Sequence, residues 1–182
     1  TGKTTAMHEL ARQLTASGNY ISALLSMEVG AGLPEDVGAA ELAVLDDWRA
    51  AIRYQLPIAY HPPKWKTDAE AGGRIGNFLT EWAIAASRPL VIFLDEIDAL
   101  ANDALISVLR QLRSGYFRRP SAFPSSLALI GLRDIRDYKV GSGGSDRLST
   151  PSPFNIAVRS ITLRNFSADE VAALVQQHHD ET

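Results

Sequence analysis

The 182-residue sequence contains no cysteine, so neither a disulfide framework nor a thiolate metal site can be built from it. Long apolar runs are missing too. None approaches the roughly 18 residues that a membrane helix requires, and the amino end lacks the apolar core of a signal peptide. Strong charge of either sign is also absent. Its 18 basic and 21 acidic residues leave a formal net charge of -3, which argues against a domain that coats nucleic acid or an anionic membrane non-specifically. Only a local basic patch stays open to such partners. Together these absences predict a soluble cytoplasmic protein without membrane association. What is present, 46% hydrophobic residues, suffices for the core of one domain and the beginning of a second.

Apolar Ala6, Met7, Leu10, Ala11 and Leu14 recur at three and four positions, which predicts a helix over 3–14 ending near Gly18. YISALLSM, residues 20–27, reads as a buried strand between Gly18 and Gly30. Residues 28–88 read as a helical insertion. Leu42, Leu45, Trp48 and Ile52 line one of its helices and Ile75, Phe78, Leu79, Trp82 and Ala86 another, while Pro57, Pro62 and Pro63 make the crossing between them irregular. LVIFL at 90–94 is the clearest strand, and a helix with Ile97, Leu100, Ala101, Ala104, Leu105, Val108 and Leu112 follows it, closed by Gly115 and Pro120. LALIGL at 127–132 reads as the next strand, followed by the polar loop GSGGSDRLSTPSP. Residues 157–163 read as a final strand. Ser167 and Glu170 then form a capping box for a last helix bearing Val171, Leu174 and Val175. Alternating strands and helices predict an α/β fold with a parallel sheet covered on both faces.

Three pieces of this pattern carry chemistry. A phosphate-binding loop reads G-x-x-x-x-G-K-[ST], because amides in a glycine-rich bend cradle phosphates, lysine reaches the terminal groups and a hydroxyl ligates magnesium. TGKTTAMHEL holds the last part of it, in Gly2, Lys3 and Thr4. Alone, that tripeptide is short enough to arise by chance. Asp95 and Glu96 close a buried strand, at the end where α/β sheets bind ligands, and suit magnesium and the positioning of a water. They would equally solvate a strand end or favour the dipole of the next helix. LALIGLRD delivers Arg133 to the same edge, where a guanidinium can hold phosphoryl oxygens bidentately or else pair with Asp134 or Asp137 in a surface loop. Arg136 is a weaker candidate for that role.

Further along, Arg110, Arg113, Arg118 and Arg119 with Tyr116 and Phe117 form a basic and aromatic cluster. It fits nucleic-acid contact, an arginine reaching a neighbouring subunit's nucleotide, or a solvated helix end. Lys64, Trp65 and Lys66 make a smaller version. His178 and His179 are adjacent and on a helix point apart, which disfavours a metal site.

GKTT, VIFLDEID and the strand ending at Arg133, in this order, resemble the P-loop ATPases of the AAA-like group, close to the STAND signalling ATPases. The resemblance implies a three-layer P-loop NTPase fold, with residues 1–163 as the ATPase core around the insertion at 28–88. Residues 164–182 would begin a C-terminal helical lid domain. It implies ATP and Mg2+ as cofactors, with Gly2, Lys3, Thr4 and Thr5 binding the nucleotide, Thr4 and Asp95 the metal, and Glu96 and Arg133 acting in catalysis. It also implies a first strand and the front of the loop ahead of Thr1, so the sequence reads as truncated inside the loop with that strand missing. The expected function is ATP binding and Mg-dependent hydrolysis driving a conformational switch, with a further C-terminal domain or protein as partner. Alternatives are a slow-turnover STAND-like switch, a nucleic-acid motor or loader, or an inactive fragment. No guanine-reading N-K-x-D pattern occurs.

Overall fold

The computed structural model describes residues 2–64, 69–132 and 159–181. β1 (Ile21–Ser26), β2 (Leu90–Asp95) and β3 (Ser126–Leu129) form one parallel sheet in that spatial order. The register places Ile21 against Leu90, Ser26 against Asp95, and Val91 against Ser126. Before β1 comes α1 (Lys3–Ala16); between β1 and β2 lie α2 (Val37–Gln55) and α3 (Arg74–Ala85). Then α4 (Asn102–Gly115) connects β2 to β3, and α5 (Ala168–Glu181) is the last described element.

Both crossovers step the same way across the sheet, so the right-handed rule puts α2, α3 and α4 on one face. The main core sits there. Ile21, Ala23 and Leu25 of β1 and Ile92 and Leu94 of β2 meet Trp48, Phe78, Trp82 and Leu109 in one buried cluster. Phe78 touches both tryptophans, its ring 5.9 Å from each, and each such pair adds about 1 kcal/mol beyond its buried area. No residue of α1 belongs to that cluster. Of the five apolar residues expected to form the buried face of α1, only Ala11 is buried, while Leu10 is 39% exposed. The helix covers the other side of the sheet thinly.

Along the outer edge of β1, side chains take the place of a neighbouring strand. Ser22 N–H donates to Thr15 Oγ1, and Thr15 Oγ1 donates to Ser22 O. The amide of Gln55 accepts from Leu24 N–H at 2.9 Å and donates to Leu24 O at 2.7 Å, as a strand would. Trp48 Nε1 donates to Ser26 O. The outward-facing N–H and C=O of Ser22 and Leu24 and the carbonyl of Ser26 are therefore satisfied from within the chain.

Several expectations need correction. Leu42 does not join the buried stripe of α2; Glu41 does, 2% exposed, because its carboxylate accepts from Gly72 N–H and from Gln111 Nε2, each at 2.7 Å. Gln111 Oε1 in turn accepts from Gly76 N–H, so this buried network ties α2 to α3 and α4. Ile97 and Leu100 are buried, yet they precede the helix, in and just after a 3-10 turn (Ile97–Ala99), and α4 starts only at Asn102. β3 stops at Leu129, not 132, since the backbone of Gly131 and Leu132 bonds to side chains instead of the ladder. Residues 159–163 are not a strand; Ile161 is 70% exposed with no neighbour to pair with among the described residues. The remainder of that expected strand, 157–158, and the loop at 141–153 lie outside the described residues. The capping box of α5 is present: Glu170 N–H donates to Ser167 Oγ and Ser167 N–H to Glu170 Oε2.

Candidate functional site

α1 begins where β2 ends. Gly2 caps it in the left-handed region, φ 65° and ψ 9°, with no side-chain cap, and its carbonyl accepts the first helical bond from Ala6 N–H. A residue with a Cβ is disfavoured there, both by that φ and by the Phe166 ring, whose Cζ would lie 3.2 Å from the added atom. The first-turn amides of α1 have no intrahelical acceptor and carry the positive end of its dipole. Lys3, Thr4 and Thr5 stand in that turn.

Two side-chain bonds tie the turn to the sheet. Lys3 Nζ donates to Gly131 O at 2.6 Å, just beyond β3, and Thr4 Oγ1 donates to Asp95 Oδ2 at 2.6 Å, at the end of β2. Asp95 is 6% exposed, and its other oxygen accepts from Glu96 N–H. Four of the sequence candidates, Gly2, Lys3, Thr4 and Asp95, thus converge, while Thr5 is exposed beside them.

Glu96 follows in a left-handed conformation, φ 53°, alone among the described non-glycine residues. That geometry typically costs roughly 1–2 kcal/mol. Desolvation at the strand end, then the charges of Glu28 and Asp95, hold its carboxyl above the ordinary carboxylate range. Glu28 is there because Met27 N–H continues the β1 ladder onto Asp95 O, which sets the next residue beside Glu96. Asp98 completes the acidic rim. Its Oδ2 accepts from Leu132 N–H, and its Oδ1 would lie 2.9 Å from a Cβ at residue 131, so glycine is needed for this close approach.

Glu28, Asp98, Gly131 and Phe166 were not singled out from sequence. Asp98 sits within VIFLDEID and Glu28 follows its strand much as Glu96 follows β2, a parallel that pairwise reading of strand ends would have found. Gly131 and Phe166 carry no comparable signal. Arg133 and Arg136 lie outside the described residues, as do Trp65 and Lys66. The arginine and aromatic cluster is at the opposite end of the sheet, because Ser125 N–H donates to Leu90 O at the start of β2.

Chemically, this corner offers a lysine ammonium, helix-start amides, and a hydroxyl and carboxylate converging as two hard oxygen donors. Among the described residues no group of three or more His, Asp or Glu side chains is placed to hold a metal ion. Thr4 Oγ1 and Asp95 Oδ2, 2.6 Å apart, are oxygens of the hard kind that magnesium takes, so these two residues fit the ion that the resemblance implies. Comparison with known proteins finds no matching family model, no matching curated protein and no matching solved structure.

Proposed function

We propose that the Gly2–Thr5 turn and the Asp95–Glu96 strand end form a site that binds and hydrolyses ATP with Mg2+, and that occupancy of the site moves the carboxyl-terminal segment. The observation that carries this reading is the pair of bonds from Lys3 and Thr4 to the ends of β3 and β2. Residues drawn from sequence positions 91 and 128 apart meet at one corner, at the carboxyl end of a parallel sheet where such folds bind ligands. Lys3 would exchange a carbonyl acceptor for phosphate oxygens, which charge favours. Thr4 and Asp95 would hold the magnesium, whose charge neutralises phosphate when bound. Glu96, held at the rim by its backbone, would orient and polarise the attacking water. Arg133 keeps the role the resemblance implies, at the terminal phosphate.

Coupling to a switch is supported by Phe166, whose ring covers Gly2 just ahead of α5. A phosphate seated against Gly2 would lie beside that ring, which gives the segment carrying Phe166 a way to sense it. The test is calorimetric titration of Mg-ATP into the chain, and into a version extended at its amino end by a strand and a complete glycine loop, each with and without Lys3→Ala. Binding in either that Lys3→Ala abolishes is the expected result. No binding in both overturns the assignment of Gly2 to Thr5.

A further inference from the structure

The far end of the sheet carries a second feature that the proposed nucleotide site leaves unused. From Ala104 to Leu132 the chain has no acidic residue and four arginines, Arg110, Arg113, Arg118 and Arg119, in a protein whose net charge is negative. Those arginines gather at the carboxyl end of α4 and the 3-10 turn that follows, Tyr116–Arg118. A helix end favours cations through its dipole, but that effect is confined to the last turn and needs one or two of them. It does not account for the aromatics. Phe117 is 90% exposed, the largest exposure among the large apolar side chains described, and Tyr116 is 46% exposed. Their rings meet edge to face at 5.5 Å, and Arg119 stacks over Tyr116 at 5.0 Å. Arg118 is likewise braced over Phe123 at 5.6 Å. Arg119 Nε is buried with no hydrogen-bond partner among the described residues, so its guanidinium is held by ring contact in place of a carboxylate.

Exposing Phe117 to water is unfavourable, and the edge contact with Tyr116 leaves nearly all of it exposed. The backbone beneath is close-packed: a Cβ on Gly115 would clash with atoms of the Phe123 ring, so the turn sits tightly against its own core. We infer that this turn is a contact for single-stranded nucleic acid, with Phe117 stacking on a base and Arg110, Arg113 and Arg118 meeting the phosphates on either side. Charge complementarity and an exposed π-face together match that ligand, since every base offers a face and every nucleotide a negative charge. An acidic protein would use the arginines but gain little from an isolated ring on a tight turn. The surface lies a full strand length, about 17 Å, from Asp95, so it neither depends on the nucleotide site nor disturbs it.

The experiment is fluorescence anisotropy of a labelled oligothymidylate of about 20 nucleotides with the whole chain, in salt from about 50 to about 200 mM. With three arginine–phosphate contacts the logarithmic salt slope should be about -2, a roughly 15-fold loss of affinity over that range. Phe117→Ala should weaken binding about tenfold at constant salt, as the loss of one stacked base does, while leaving the salt slope unchanged. Arg110→Gln with Arg118→Gln should flatten the slope. Absence of binding at the lowest salt overturns the inference. So does an unchanged affinity in Phe117→Ala, or competition by oligoglutamate as effective as unlabelled oligothymidylate, which would identify a surface for acidic protein. Phe117 is exposed, so its replacement should fold, and circular dichroism of the variant checks that it has.

Discussion

Glu96 is the residue where fold and proposed chemistry pull in opposite directions. Its backbone is left-handed and its carboxylate stands among Glu28, Asp95 and Asp98, so neither conformation nor charge is comfortable. Glu96→Gly should therefore raise the unfolding free energy by about 1 kcal/mol, read by urea denaturation. Under the proposed function the same variant should keep Mg-ATP affinity and lose turnover. A destabilised Glu96→Gly would mean that side-chain contacts outweigh the strain. Gly2 presents the mirror case. Gly2→Ala should lose about 1 kcal/mol from φ alone, with any further loss attributable to the Phe166 contact. Local chemistry of this kind was partly legible in the sequence: a glycine before a lysine-led helix, and acids closing an apolar strand. The left-handed turn at Glu96 was not, because a glutamate after an apolar strand carries no signal for a positive φ.

Elements were legible in proportion to how locally their causes lie. β1 and β2 are short apolar runs, and α5 carries its own start signal in Ser167 and Glu170, so all three stand where periodicity and capping put them. Where a distant partner decides, the reading failed. Glu41 is buried because its acceptors face Gly72 and Gln111, 31 and 70 residues away, which no helical stripe could reveal. Glu41→Ala should leave the buried Gln111 amide with Ser107 Oγ as its remaining acceptor and release the Gly72 N–H to solvent, costing about 2 kcal/mol in urea denaturation, above the loss from an exposed glutamate such as Glu81. The cap of α5 should show a pH dependence of definite sign. Arg164 first, then Ser167, hold the Glu170 carboxyl below its ordinary range. Its stabilisation of the helix is thus present above the unfolded carboxylate pKa, about 4.3, and lost as pH falls through the lowered native value. Far-UV circular dichroism should show α5 fraying on acidification, and Arg164→Ala should start that loss at a higher pH.

For the whole molecule, a parallel α/β sheet was legible in alternating strands and helices, but the strand order β1-β2-β3 and the thin cover that α1 gives were not. A stripe of Ala6, Met7, Leu10, Ala11 and Leu14 promises more burial than one small residue delivers. The edge caps on β1 were equally unreadable, since Thr15, Trp48 and Gln55 look in sequence like ordinary helix residues. Their consequence concerns how copies of this chain can meet. Propagating sheet-to-sheet association requires each molecule to offer two open margins, one to receive and one to extend. With Ser22 and Leu24 satisfied at N–H and C=O and Ser26 at its carbonyl, the β1 margin of this sheet is closed among the described residues, so edge pairing through this sheet has one open side at most and stops at two copies. Gln55→Ala restores the second margin at Leu24; sedimentation of that variant should reveal species larger than dimers, which the parent chain cannot form by this route.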